Sequence, residues 1–292
     1  MLLFKKFNSI GLEKIWILLI FSSLTAYGQQ YKDVVYAEID ERQLLVDVYL
    51  PKNNPNPYLV VWIHGGAWHS GSKEDPPKGL LNSGYALASV DYRLSVEAPF
   101  PAMIYDIKAA IRFLRANAKQ YGYRSDKIIV AGSSAGGHLA ALIGTVNGNS
   151  ELEGTLGNYV STSSSVQATV NLYGPSNFLT ILNQSTPHGI SVRSPALAVL
   201  LGKPVDMIPE LAKLASPVYQ VDANDPPMFI AHGDQDNQVP INQAHELHGA
   251  LKKAGVMVQF EVVHGAGHGS PDYYQPEFTQ KIVAFLEKVL NN

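Results

Sequence analysis

Short apolar runs recur along the chain from Tyr58 onward: Tyr58–Ile63, Tyr85–Val90, Ile128–Ala131, Ala168–Tyr173, Pro226–Ala231 and Val256–Val263. Continuous apolar runs of this length are the signature of strands buried on both faces, as in a parallel sheet. Residues 34–50 (VVYAEIDERQLLVDVYL) alternate instead. They predict a hairpin turning near Asp40-Glu41, with Leu44, Val46, Val48 and Leu50 on one face, closed by the turn Pro51–Pro57. A helical spacing follows in Phe100–Tyr121. Ile104, Ile107, Ala110, Ile111 and Leu114 form its apolar stripe, and Lys108, Arg112, Arg115 and Lys119 are expected outside. Pro99 and Pro101 mark its start and Gly122 its end. Further helical runs are His138–Ile143, Ile241–Ala254 and Glu277–Leu290. Strands alternating with helices over 58–292 predict one α/β domain with a doubly wound, mostly parallel sheet. Residues 144–165 should be irregular. Ser176–Val221, punctuated by Pro187, Pro195, Pro204, Pro209 and Pro217, should be the least regular part, a cap-like insertion that covers or shapes a site.

Composition narrows the function classes. The 292 residues are 46% hydrophobic and 16% charged, enough to bury one substantial core. A net charge of −3 with no basic stripe speaks against nucleic acid as a partner. With no cysteine, disulfides, thiolate catalysis and thiolate-held zinc are excluded. No metal-ligand cluster stands out, and no cofactor is expected. At the N-terminus Lys5, Lys6 and Lys14 precede the apolar run Ile15–Leu24, which leads to Ala26-Tyr27-Gly28. This is the pattern of a secretory signal, too short for a comfortable membrane span. Residues 1–28 are expected to be removed, leaving a catalytic domain of 29–292 in the periplasm or outside the cell, with no membrane association after cleavage; an uncleaved signal anchor is the alternative.

The chemistry centres on Lys127–Gly137, KIIVAGSSAGG. It reads as a strand, then Gly132-Ser133-Ser134-Ala135-Gly136, then a helix. G-x-S-x-G in that context is a nucleophile elbow. The turn is so sharp that the serine must adopt a strained backbone, and the residues two away on either side have no room for side chains. A plain helix-capping Gly/Ser loop is the alternative, since serine caps helices well. His64-Gly65-Gly66-Ala67-Trp68 directly follows a predicted strand. Its backbone N–H groups, with that of Ala135, can form an oxyanion hole at Gly65, Gly66 and Ala67. Asp91 and Arg93, after the next strand, are expected to pair and brace the loop.

A serine hydroxyl needs a base, and the base a carboxylate. Of nine histidines, His268 is the candidate, in a glycine-rich loop after the last strand. His64 more plausibly braces its turn, His232 packs at a strand end, and His245 and His248 lie on a polar helix. Asp234 and Asp236 both follow the preceding strand. Asp236 is preferred as the acid, with Asp234 holding the loop through backbone bonds. Ser134 would attack an ester carbonyl while His268 takes its proton, and each oxyanion donor is worth about 3–4 kcal/mol.

HGGAW (64–68), DYRL (91–94), DIKAAIRFLRANAKQYG (106–122), GSSAGG (132–137), Ser216-Pro217, PPMFIAHGDQDNQVP (226–240) and GAGHG (265–269) together resemble the α/β-hydrolase superfamily. More narrowly, the chain is similar to secreted bacterial esterases of the feruloyl and acetylxylan esterase group, near the hormone-sensitive-lipase-like esterases. The resemblance spans about 31–290. It implies Ser134 as nucleophile, Asp236 as acid, His268 as base, and an oxyanion hole at Gly65–Ala67 with Ala135. Ala67 stands where the lipase-like relatives have a third glycine. The implied substrate is a small-molecule or polysaccharide-linked ester, with Trp68 and Tyr173 as candidate substrate-binding aromatics or simple cleft wall. Two other readings compete: an aminopeptidase-like hydrolase, for which about 30 residues between the expected cleavage site and the first core strand leave no room for the usual propeller, and an inactive hydrolase fold used for binding.

Overall fold

A computed structural model describes residue 28 and residues 30–291; the expected signal segment lies almost wholly outside these. Eight strands form one sheet: β1 (Gln30–Ile39), β2 (Arg42–Tyr49), β3 (Tyr58–Ile63), β4 (Ala86–Val90), β5 (Arg124–Ser133), β6 (Ala168–Leu172), β7 (Met228–Gly233) and β8 (Val258–Val263). Their order is β1-β2-β4-β3-β5-β6-β7-β8. The β1–β2 and β2–β4 pairs are antiparallel and every pair from β4–β3 onward is parallel. The alternating hairpin turns at Asp40-Glu41 as expected, with Leu44, Val46 and Val48 fully buried.

Helices cover both faces, as the continuous apolar strands require. They are α1 (Gly79–Asn82), α2 (Ala102–Ala116), α3 (Ala118–Tyr121), α4 (Ala135–Thr145), α5 (Ile181–Gln184), α6 (Pro187–Leu201), α7 (Pro209–Leu214), α8 (Pro217–Gln220), α9 (Asn242–Ala254) and α10 (Pro276–Leu290). One core joins β1–β5 to α2, α4 and α6; a second, across the sheet, joins Trp62, Ile129, Val170 and Phe229 to α1 and α10. Residues 146–167 carry no regular element, as the sequence suggested.

Three expectations need correction. Lys108 and Arg112 are not on the outer face of α2: both are 1% exposed. Glu153 accepts from Lys108 Nζ (2.8 Å) and Arg112 Nη1 (2.7 Å), and the carbonyls of Val146 and Leu156 take further donors. The irregular segment therefore supplies acceptors that make burying two cations tolerable. Asp91 and Arg93 do not pair. Arg93 forks onto Asp106 (2.7–3.1 Å), while Asp91 accepts the backbone N–H of Lys73 (2.7 Å). Finally, 176–221 is largely helical. Pro187, Pro209 and Pro217 stand in the first turns of α6, α7 and α8, where a missing N–H costs nothing and the fixed φ suits a helix. Thr186 caps α6 by accepting from Gly189 N–H (3.1 Å), and Gly202 ends it at φ 79°. These three prolines begin helices rather than preventing them, and Pro195 lies within α6 itself.

Candidate active site

The elbow closes as the steric argument requires. Ser134 sits between β5 and α4 at φ 54°, ψ −119°, and its side chain makes no cap bond. The capping alternative is thereby removed. A Cβ on Gly132 would lie 2.3 Å from Gly136 O, and one on Gly136 2.0 Å from Ile63 O. Both glycines are needed because β5, α4 and the end of β3 meet there backbone to backbone.

Ser134 Oγ lies 2.8 Å from His268 Nε2, and His268 Nδ1 lies 2.7 Å from Asp236 Oδ2. The three residues come from loops that leave the parallel strands β5, β7 and β8 at the carboxyl end of the sheet, where such folds gather their sites. Asp236 is held from both oxygens. Oδ1 accepts the N–H groups of Gln238 and Val239, each at 2.9 Å. Oδ2 accepts from His268 and faces His232 Nε2 at 3.3 Å. Burial alone would push this carboxyl up, but hydrogen bonds from His232 and then His268 outweigh it and hold it well below the usual carboxylate range. Asp234 does what the loop reading assigned to it: it accepts Gly265 N–H (2.8 Å) and meets His264 Nδ1 (2.8 Å).

The turn after β3 lies against the elbow. A Cβ on Gly65 would sit 3.0 Å from Ser133 O and 3.4 Å from Ser134 Cβ. Gly66, Ala67 and Trp68 then take φ values of 111°, 51° and 63°. A Cβ on Gly66 would meet Ser70 O at 2.1 Å, so only glycine fits there. The Gly66 carbonyl is turned away to accept from Ser70 N–H and Oγ. The N–H groups of Gly66 and Ala67 have no acceptor among the described residues, and Ala135 N–H opens α4. These are the donors an oxyanion would need. His64 braces the turn as expected, stacked on Tyr92 (4.4 Å) with Nδ1 2.7 Å from Gly65 O.

Trp68 is neither a substrate-binding aromatic nor cleft wall. It is completely buried; its ring meets Phe178 edge-on and its Nε1–H donates to His138 Nδ1 (3.1 Å). Positive φ at Ala67 and Trp68 swings the indole under the turn, where it anchors a strained backbone. Tyr173 is also nearly buried. Its ring meets the edge of His268 (5.0 Å) and its hydroxyl lies 2.5 Å from that of Tyr274. It supports the base more than it offers a face to substrate, whereas Tyr274, which the sequence did not single out, is 37% exposed.

His138 ties three parts together. On α4 its Nδ1 accepts from Trp68 and its Nε2–H donates to the Ala215 carbonyl of the inserted segment (2.7 Å). Burial drives its pKa from 6.5 down to about 4, only partly opposed by the Ala215 carbonyl. The unfolded chain takes up the proton at the ordinary value, so this stability is complete above about pH 6.5 and drains as pH falls towards 4. At about 1.4 kcal/mol per unit the loss approaches ~3 kcal/mol. Carboxylates titrate in the same range, so a His138→Gln variant isolates the effect. Denaturant titrations should show the wild-type advantage shrinking by about 2–3 kcal/mol between pH 7 and 4.5; an advantage independent of pH would refute it.

Among the described residues no group of three or more His, Cys, Asp or Glu could hold a metal ion, and no helix is long and apolar enough to cross a membrane. Among solved structures, a truncated carbohydrate esterase from gut microbiota superposes with a TM-score of 0.83 and 35% identity, covering 91% of this chain and 98% of that one. The bifunctional GH43-CE of Bacteroides eggerthii follows at TM-score 0.79 and 36% identity, covering 89% and 38%. Esterase LipC of Mycobacterium tuberculosis is 32% identical over 237 residues, 79% of this chain and 58% of LipC. The chain spans about half the length of the curated relatives it matches. The BD-FAE family model matches residues 46–251, which include the oxyanion turn, the elbow and Asp236; the chain belongs to this family of α/β-hydrolase-fold esterases.

Proposed function

We propose that this protein is a serine carboxylic ester hydrolase that works through an acyl-enzyme. The observation that carries the reading is the unbroken relay from Ser134 Oγ through His268 to Asp236, at 2.8 and 2.7 Å. Ser134 Oγ attacks the ester carbonyl carbon as His268 Nε2 takes its proton. Asp236 holds the other ring nitrogen protonated and balances the imidazolium. The N–H groups of Gly66, Ala67 and Ala135 receive the oxyanion, with Gly65 giving the turn its close approach. The C–O bond then breaks and His268 returns the proton to the leaving alcohol. Water attacks the acyl-enzyme by the same route, releasing the acid and restoring Ser134.

The finer reading is an exported esterase that removes acetyl or feruloyl groups from plant polysaccharide. Its support is the similarity to two solved carbohydrate esterases and the basic-then-apolar N-terminal segment. The test is a panel of p-nitrophenyl acetate, methyl ferulate, acetylated xylan and aminoacyl-anilides. Ester cleavage without anilide cleavage is expected, with xylan or ferulate turned over. Turnover of p-nitrophenyl acetate alone would remove the polysaccharide substrate and keep the esterase. Anilide cleavage would favour a peptidase, and no turnover at all would sink the enzymatic reading.

A further inference from the structure

His232 is a completely buried histidine that the relay above does not use. It is the penultimate residue of β7, four residues before Asp236. Its Nε2 faces two acceptors, the Val239 carbonyl at 2.9 Å and Asp236 Oδ2 at 3.3 Å. A nitrogen between two acceptors must carry the hydrogen, so Nδ1 is the bare nitrogen. That Nδ1 is buried with no hydrogen-bond partner among the described residues. An N–H at Nδ1 would find no acceptor, which fixes the tautomer with the hydrogen on Nε2. Asp236 Oδ2 thus meets two histidines on opposite errands: His268, bonded to it at 2.7 Å, exchanges protons with Ser134, while the His232 Nε2–H is bonded to the Val239 carbonyl and stands 3.3 Å away.

We propose that His232 is a positioning residue which, through Asp236, sets how tightly His268 holds its proton. The inference rests on the proposed serine–histidine–aspartate relay. With its Nε2–H 3.3 Å from Oδ2, His232 sets the positive end of an N–H dipole against the same oxygen that stabilises protonated His268. It also fixes the carboxylate plane, together with the N–H groups of Gln238 and Val239 on Oδ1. Several other charged and titratable groups surround the trio. Arg193 of α6 has a field that reaches Asp236, and it donates to Gln238 Oε1 at 2.9 Å. Tyr173 lies against the His268 ring, and Tyr273 is near Asp236. Asp234 and His264 pair with each other on the same loop system. These groups are constant across variants at position 232, so a change there reads His232 alone.

The experiment is the pH profile of kcat/KM for p-nitrophenyl acetate, with Ser134→Ala as the reference for the underlying relay. His232→Phe keeps the ring volume and removes the donor, leaving Asp236 more basic. The acid limb should move up by about one pH unit, and kcat should fall about tenfold with little change in KM. His232→Gln, whose amide nitrogen can occupy the place of Nε2, should bring the limb back towards wild type. An acid limb unmoved in soluble His232→Phe would overturn the proposal, as would a shift that Gln does not reverse. If the Phe variant does not fold, 15N NMR of the wild-type imidazoles decides. A His232 whose hydrogen sits on Nε2 at the pH of the assay supports the proposal, and one whose hydrogen sits on Nδ1 overturns it. Activity surviving in Ser134→Ala would instead remove the relay itself, an outcome distinct from an unmoved limb in an enzyme that needs Ser134.

Discussion

Ser134→Ala is expected to lower kcat on p-nitrophenyl acetate by roughly 10⁴- to 10⁶-fold while leaving the protein folded. The two halves of this prediction have separate causes. The hydroxyl is the group placed to attack, 2.8 Å from His268 Nε2. What remains without it is the oxyanion donors and substrate binding, which in serine hydrolases leave about 10³–10⁴ over water. Stability should change by no more than about 0.5 kcal/mol. Alanine keeps the Cβ and so meets the same backbone strain at φ 54°, and no cap bond is lost because the Ser134 side chain makes none. A thermal melt beside the rate assay checks both halves. A loss of less than tenfold would displace Ser134 as nucleophile. A large fall in melting temperature would mean that its side chain holds the elbow together in a way its contacts do not record.

The parts of this site legible in the sequence are those whose chemistry is local. The elbow announces itself because three constraints, two glycines and a strained serine, fall within five residues. His268 and Asp236 could be chosen because each follows a predicted strand, and parallel strands bring such loops to one edge. Residues whose partners lie far along the chain were not legible. Lys108 and Arg112 follow the helical period of an exposed face, and nothing near them in sequence reveals that Glu153, more than 40 residues away, will accept them. Trp68 looked like cleft wall because its turn's positive φ values, which bury it, have no signature at Ala67 or Trp68 themselves. His232 was placed correctly at a strand end. The missing information was the tightness of the Gly233–Val239 loop, which returns Asp236 to within 3.3 Å of it. The prolines of the insertion were visible but ambiguous, since proline both breaks helices and begins them. Thr186 before Pro187 and Gly202 after Leu201 were the local signals that favoured a helix there.

Gly136→Ala should be a severely damaging single-methyl change, destabilising the fold by more than about 4 kcal/mol. Its new Cβ would meet Ile63 O at 2.0 Å, His64 O at 2.6 Å and the Ile63 carbonyl carbon at 2.7 Å. All three are main-chain atoms at the end of β3, so no side chain can rotate away. Either α4 lifts from the sheet or β3 retreats. β3 is a central strand, paired on one side with β4 and on the other with β5, so its retreat breaks two ladders. For a domain of this size the melting temperature should drop by about 10 °C or more. Any soluble fraction should also be catalytically poor, because β3 leads straight into the oxyanion turn, and a displaced donor costs about 10²–10³ in kcat. Gly249→Ala is the matched control. It adds the same methyl inside α9, where nothing lies within 4 Å, and should stabilise by up to about 1 kcal/mol through helix propensity. Were Gly136→Ala to melt like Gly249→Ala, the close approach of α4 to β3 would be wrong. The second glycine of the elbow would then be a matter of local turn preference rather than of two backbones forced into contact to bring Ser134 up to its oxyanion donors.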